Sequence, residues 1–364
     1  MKKYKVGVVG CGGIAWGKHL PAHRRSSETE VVAFCDIIEE RAINTAKEFG
    51  TADAKTYTDY REMLKDKSLD IVLVLTPNNM HCEITVAALN AGKHVICEKP
   101  MAMNYAEAKK MLEARDKSGK ILTIGYQNRY RSDALYAKKL AEKNYFGDIY
   151  YAEAHAVRRR GVPTWGVFID KEKQGGGPLI DIGTHALDLT LFIMNNYEPA
   201  YCVGKTFHKL NKQRNTGNSG GDWDVDKFTA EDSAFGFVVM KNGAVIYLKS
   251  SWALNIADYN EACAVLCGDK AGVDLRNKMK LNTILEGKQV IVEPDLNGGQ
   301  ILFYEGSGTA PEDYELAVFL RAVAGEGELY VTADQAAVVT RILEGIYESD
   351  RTGKPFYFDG GERR

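Results

Sequence analysis

Near its start the chain runs from a short β-branched stretch, Lys5–Val9, straight into Gly10-Cys11-Gly12-Gly13-Ile14-Ala15. This is a G-x-G-x-x-A pattern, and it constrains the fold more than any other feature. The first glycine permits a tight turn, the second lets a pyrophosphate approach the backbone, and the alanine lets the following helix pack on the strand. The helix N-terminus then faces the phosphates. A glycine turn alone is a weak signal, but here it has its context. A strand precedes it, a helix follows, and a second strand, Val31–Cys35, ends in Asp36. That carboxylate can accept hydrogen bonds from an adenosine ribose and repels a 2′-phosphate. Ile37 and Ile38 follow it, with no adjacent arginine to hold such a phosphate. The expected cofactor is NAD rather than NADP.

The alternation continues. A helix over Glu39–Phe49 closes at Gly50, a short one spans Asp59–Leu64, and an apolar strand covers 70–75 before Thr76-Pro77-Asn78. A helix over His81–Ala91 and a strand over His94–Cys97 lead to Glu98-Lys99-Pro100. Asn104 and Glu107 cap a helix over Tyr105–Ser118, and a strand over Ile121–Gly125 ends the series. Strands alternating with helices predict an α/β, doubly wound parallel sheet. Ligands bind such sheets at the carboxyl ends of the strands. Gly10–Gly13, Asp36, Thr76–Asn78 and Glu98–Lys99 are therefore expected along one rim. Lys99 reads in two ways: as a fixed positive charge where alkoxide charge develops, or as an exposed lysine paired with Glu98. Position alone leaves both open.

At 364 residues the chain exceeds what one core usually covers, so two domains are expected, 1–125 and 126–364. A net charge of −2 implies no nucleic-acid affinity, and no apolar run approaches membrane-spanning length. The strand begins within a few residues of Met1, leaving no room for a signal peptide. Seven cysteines without a Cys-x-x-Cys pair fit buried free thiols in a reducing cytoplasm. His19 and His23 lack a carboxylate at ligand spacing, so no metal is expected.

After Gly125 the texture changes. Strands dominate from Asp148, interrupted by Arg158-Arg159-Arg160-Gly161-Val162-Pro163-Thr164-Trp165. This segment reads either as a loop covering a substrate or as a plain solvated loop. Residues 211–231 form a long Gly/Asn/Asp-rich loop of the kind used as lids or oligomer arms. Asn242-Gly243 turns a hairpin between Ser233–Met240 and Ala244–Trp252, and further strands continue an antiparallel sheet. Capping boxes at Thr309/Glu312 and Thr332/Gln335 open the last helices.

Within this half lies Gly175–Asn195, GGGPLIDIGTHALDLTLFIMN, a helix apolar almost all round. Its one polar stripe is Asp181, Thr184, His185 and Asp188. A solvent face would carry Lys, Glu, Gln or Arg. Short carboxylates and an imidazole instead predict a polar cavity, in which an Asp one turn before a His orients it for proton transfer.

Gly-Cys-Gly-Gly-Ile-Ala after the first strand, Glu98-Lys99-Pro100, and Asp181-x-x-x-His185 after the glycine run together resemble the glucose–fructose oxidoreductase / inositol dehydrogenase (Gfo/Idh/MocA) family. The resemblance covers essentially the whole chain. It implies a Rossmann domain followed by an α/β domain built on a large, mostly antiparallel sheet that often mediates oligomers. It also implies NAD(P)-dependent oxidation of a sugar or cyclitol hydroxyl. By position, Lys99, Asp181 and His185 match the family's catalytic residues. With it, the expected dinucleotide set becomes Gly10, Gly12, Gly13, Ile14, Asp36, Ile37, Thr76, Pro77, Asn78, His81, Glu98, Lys99 and Asn128. The expected substrate set is Lys99, Arg129, Arg158, Thr164, Trp165, Asp181 and His185. RRRGVPTWGVF is similar to the corresponding loop of members that oxidise the 3-hydroxyl of glucose or glucosides, including plant C-glycosides. The expected function is oxidation of a secondary hydroxyl to a ketone, with an inositol dehydrogenase as the alternative substrate reading. A non-catalytic NAD-bound sugar sensor or repressor is the alternative of another class. The expected partners are a small sugar, glycoside or cyclitol and further copies of the chain, with no nucleic acid and no membrane.

Overall fold

The computed structural model describes residues 3–296 and 310–359. They fall into two compact units. The first takes residues up to 130 together with 310–337; the second takes 131–296 and 338–359. The expected single cut at 125/126 thus misses a return of the chain. The helix Pro311–Ala324 buries Leu316, Phe319 and Leu320 in the same core as Val6, Val8, Phe34 and Leu73.

In the first unit, six parallel strands are β1 (Tyr4–Val9), β2 (Thr29–Cys35), β3 (Lys55–Tyr57), β4 (Ile71–Val74), β5 (His94–Cys97) and β6 (Leu122–Ile124). Their order is β3-β2-β1-β4-β5-β6, the doubly wound Rossmann arrangement. β3 escapes the sequence reading because its three residues are largely exposed and polar, with no apolar run to mark it. Elsewhere the local signals hold. Asn104 accepts the Glu107 N–H at 2.9 Å, and the helix Tyr105–Ser118 ends at Gly119 in the left-handed conformation.

The second unit is a nine-stranded sheet with α-helices. Its strands are β7 (Ile149–Val157), β8 (Pro199–Phe207), β9 (Ser233–Met240), β10 (Val245–Ser251), β11 (Cys263–Gly268), β12 (Gly272–Asp274), β13 (Lys280–Leu285), β14 (Lys288–Val292) and β15 (Phe356–Tyr357). The order is β14-β13-β12-β11-β7-β10-β9-β8-β15. All pairs are antiparallel except β7 with β10, which run parallel at the centre. The expected hairpin is β9/β10, with Gly243 at φ +89°.

Small residues line the helix-facing side of this sheet. One cross-strand row reads Gly204, Gly236, Leu248, Ala154, Ala264. A Cβ at Gly204 or Gly236 would run into the Ile346 side chain, so these glycines let the last helix lie close. The adjacent row on the other side reads Val203, Phe237, Tyr247, Glu153, Val265, all exposed or half-buried. The box at Thr332 forms, with its hydroxyl accepting the Gln335 N–H at 3.3 Å. The box at Thr309 lies outside the described residues, and the helix it would open starts with Pro311 in its first turn.

Among the described residues no helix is long and apolar enough to cross a membrane. Six cysteines are buried and Cys267 is half-buried, all unpaired.

Candidate active site

The nucleotide rim is built by strand ends. Gly10 closes β1 at φ +96°, where a Cβ would sit 2.5 Å from the Leu75 carbonyl oxygen. Cβ atoms at Gly12 and Gly13 would meet no protein atom within 4 Å. The turn itself demands Gly10, whereas the open space at Gly12 and Gly13 fits a pyrophosphate laid against the backbone. Asp36, at the end of β2, accepts the Cys11 N–H on Oδ2 and the Ile38 N–H on Oδ1, both at 2.9 Å. Each oxygen keeps a further lone pair for ribose hydroxyls. Ile14 is exposed and Ile37 is 89% exposed, apolar surface flanking that carboxylate. Thr76 is half-buried, Pro77 exposed and Asn78 buried. These residues fit NAD.

Two of the expected dinucleotide residues, Glu98 and His81, have partners inside the protein. Glu98 is buried and faces inward. Its Oε1 accepts from Lys18 Nζ at 2.9 Å and His19 Nε2 at 2.8 Å, while Oε2 accepts the Lys99 N–H at 3.1 Å. Lys18 in turn pairs with Glu315 at 3.0 Å. Burial opposes the Glu98 charge, but Lys18 and His19 outweigh it and hold the carboxyl well below the usual range. Glu98 thus grips the Lys99 backbone, and the Lys99 side chain is half-buried. His81 is buried beneath the rim, Nδ1 at 2.8 Å from the Pro100 carbonyl and Nε2 at 2.9 Å from that of Thr76. It ties the ends of β4 and β5 together. Asn128 is half-buried in the turn Gln127–Tyr130.

The expected substrate residue Arg129 is also turned inward. It is 0% exposed and donates to the Tyr330 carbonyl at 2.6 Å and to Gln335. A guanidinium so enclosed anchors the returning segment 310–337 to its own unit.

In the second unit the polar stripe is buried throughout. Asp181 and His185 are each 8% exposed, Thr184 and Asp188 0%. It is therefore not a solvent face. The segment is not one regular helix either. Leu179–Gly183 forms a π-turn, followed by the α-helix Thr184–Met194. Single π-turns inside helices recur at functional sites. The glycines before it serve close approach, since a Cβ at Gly176 would meet the Tyr347 hydroxyl and one at Gly177 the Glu231 carbonyl oxygen. Tyr347 donates to Glu231 Oε1 at 2.7 Å, and that oxygen also accepts the Leu179 N–H at 3.4 Å.

Asp181 Oδ2 accepts the indole N–H of Trp252 at 2.9 Å. Arg158, at the end of β7, forks onto Glu261 with Nε–Oε2 2.5 Å and Nη2–Oε1 2.6 Å, and gives Nη1 to the Gly161 carbonyl at 2.9 Å. Burial opposes its charge, but Glu261 and the field of Asp181 raise its pKa above the ordinary arginine value. Thr164 donates to the Gly220 carbonyl at 2.5 Å, and Trp165 is 62% exposed. The segment 158–165 is thus bound to the long loop, and Asn218 both accepts the Val162 N–H at 2.8 Å and donates to its carbonyl at 3.0 Å. Sequence reasoning misses Trp252, Glu231, Tyr347 and Glu261. Trp252 ends a hairpin strand, where an aromatic reads as ordinary core, and the carboxylates lie far from the stripe in sequence.

A fingerprint turn with an acid at the end of the second strand, and a buried Asp/His pair in the second unit, define a dinucleotide-dependent oxidoreductase. Residues 4–126 match the oxidoreductase family, NAD-binding Rossmann fold, and residues 138–358 match its C-terminal alpha/beta domain; the chain belongs to this Gfo/Idh/MocA family. It is 33% identical over 96% of its length, and 96% of the relative's, to D-glucoside 3-dehydrogenase of Escherichia coli. It is 38% identical to inositol 2-dehydrogenase of Salmonella typhimurium over 39% of this chain and 43% of that protein. The crystal structure of an oxidoreductase domain protein from Kribbella flavida shares the fold, at TM-score 0.84 and 22% identity over 98% of this chain and 99% of that one.

Two outcomes test this geometry. Gly12→Ala adds a methyl group that no protein atom opposes, so it leaves the melting temperature unchanged. It weakens NAD binding by about tenfold or more in calorimetry, because only a bound pyrophosphate competes for that space. Glu98→Gln leaves Lys18 in a buried site with one carboxylate fewer, at a cost of about 3 kcal/mol in denaturant unfolding. The folded pKa of Glu98 lies below its unfolded value. Its contribution is therefore complete above about pH 4.5 and is lost as pH falls through the folded value. The stability of Glu98→Gln should fall less steeply on acidification than that of the wild type.

Proposed function

We propose that the protein oxidises a secondary hydroxyl of a sugar glycoside to a ketone, with glucose C3 as the position attacked. It is an NAD-dependent sugar or polyol dehydrogenase. The observation that carries the reading is the burial of Asp181 and His185 on one polar stripe in a chain that also bears the dinucleotide turn. A glucoside is favoured over a cyclitol because, over nearly the whole chain, identity is 33% to the glucoside 3-dehydrogenase against 26% to a scyllo-inositol 2-dehydrogenase of Bacillus subtilis.

In this mechanism the imidazole of His185 takes the proton of the reacting hydroxyl. Asp181 orients the ring and offsets the positive charge it acquires. Lys99, held through its backbone by Glu98, supplies a positive charge to the developing alkoxide. Arg158, Thr164 and Trp165 contact the sugar or its aglycone. Dinucleotide contacts come from Gly12, Gly13, Ile14, Asp36, Ile37 and Thr76–Asn78. Bound NAD would supply the acceptor for the hydride of the carbinol carbon.

Reduction of NAD at 340 nm with a panel of methyl glucosides and inositols, with mass spectrometry locating the new carbonyl, identifies the substrate. Lys99→Ala and His185→Ala each lower kcat by about a thousandfold while NAD affinity stays within about threefold. Losses that simply add in the double variant would show that the two residues act independently rather than as one unit.

The same reading places the enzyme in the cytoplasm as a homo-oligomer. The support is the open side of the nine-stranded sheet, where Val203, Phe237 and Tyr247 form an apolar row that a second copy can cover. Light scattering is expected to give a dimer or larger assembly, and Phe237→Lys to shift it toward the protomer mass.

A further inference from the structure

Trp252 is buried completely, and its position is over-determined. Its N–H donates to the Asp232 carbonyl at 3.1 Å, and its carbonyl accepts the Gly161 N–H at 2.8 Å. The residue before it is tied to the end of β7, the Ser251 carbonyl accepting the Arg158 N–H at 2.8 Å. The indole packs on Phe228 at 6.1 Å between ring centroids, and Phe228 packs edge-to-face on Trp223 at 5.8 Å. Both phenylalanine and tryptophan come from the long loop, whose return is fixed by Asp232 accepting the N–H groups of Leu210 and Asn211 at 2.6 and 3.1 Å. Trp223 closes this arrangement by donating to the Asn211 carbonyl at 2.8 Å. Three segments therefore hold one indole, and its single polar atom meets Asp181 Oδ2 at 2.9 Å.

A carboxylate on a π-turn has rotational freedom unless something outside its helix fixes it. An N–H donor on one oxygen of Asp181 does this, and it favours the charged form. Among the described residues, the field of Arg158, itself paired with Glu261, reaches this carboxylate; His185 lies four residues on in its own segment, and Glu231 is bound at the Leu179 N–H.

We propose that Trp252 is a positioning residue for the Asp181/His185 pair: its indole N–H fixes one carboxylate oxygen, and the 211–231 loop sets that indole by packing Phe228 against it. The proposal rests on the catalytic reading of Asp181 and His185, yet the hydrogen bond can be tested apart from it. The loop thereby acts as an anchored brace on the catalytic helix, in place of the lid or arm that its length suggests.

The chain has four tryptophans, so the Trp252 indole signal in a ¹H–¹⁵N spectrum is assigned by its loss in Trp252→Phe. In the wild type that signal should follow one acid titration, and the titration should vanish in Asp181→Asn. A signal flat with pH, or unchanged in Asp181→Asn, overturns the hydrogen bond. Turnover is read with methyl β-D-glucopyranoside and NAD. Trp252→Phe keeps the ring packing and removes the donor. It should lower kcat about tenfold, leave KM for NAD within about twofold, and move the acid limb of the kcat profile to higher pH. A purely structural role would lower the folded fraction, read by near-ultraviolet circular dichroism, without moving that limb. Wild-type kinetics in Trp252→Phe alongside an inactive Asp181→Asn sinks the positioning role and spares the catalytic reading. Full turnover in Asp181→Asn, with the indole titration present in the wild type and lost in that variant, sinks the catalytic reading and leaves the hydrogen bond standing.

Discussion

The buried carboxylate of Glu98 is the constraint on which the first unit turns. It gathers Lys18 and His19 from the helix that follows the glycine turn, and it holds the backbone of Lys99 at the end of β5. Lys18 extends the set to Glu315 on a helix that arrives almost three hundred residues later. A charge enclosed this way is costly unless each lone pair and proton is matched, and here the match joins the nucleotide turn, the lysine strand end and the returning helix. The arrangement gains little raw stability over an apolar core. What it supplies is position: the lysine is delivered to the rim with its main chain already fixed.

Unit two solves a comparable problem with a different device. A helix carrying two carboxylates and an imidazole on a buried stripe would be unstable if the stripe faced only apolar neighbours. Trp252, the loop behind it and Arg158 give Asp181 a donor and a compensating charge. Glycines at 176 and 177 let Glu231 and Tyr347 reach the start of the π-turn. Alanines and glycines on the adjoining sheet face let the helices settle close enough for these contacts to form.

Much of this was legible in the residues. The strand–turn–helix register of the first unit, the acid at the end of β2, the caps at Asn104 and Thr332 and the hairpin at Asn242-Gly243 are local signals with one physical solution each. The buried stripe was legible because its residue types are wrong for water. What escaped was non-local. Glu98 ends a strand at the rim, and the family resemblance alone points His81 and Arg129 at a ligand. Only the packed structure shows that Lys18, two carbonyls and Gln335 claim them first. β3 is too short and too polar to announce itself, the parallel pairing of β7 with β10 carries no sequence mark, and the π-turn is invisible to a 3.6-residue period.

The return of residues 310–337 to the first unit bears on how such a chain comes to be folded on the ribosome. Leu316, Phe319 and Leu320 belong to the core around β1, and Glu315 to its ion pairs. A nascent chain that has emerged only to residue 130 lacks all four. The nucleotide-binding half, first to be translated, thus waits for residue 337, and the other half waits longer still, for the segment 338–359 that carries Ile346 and β15.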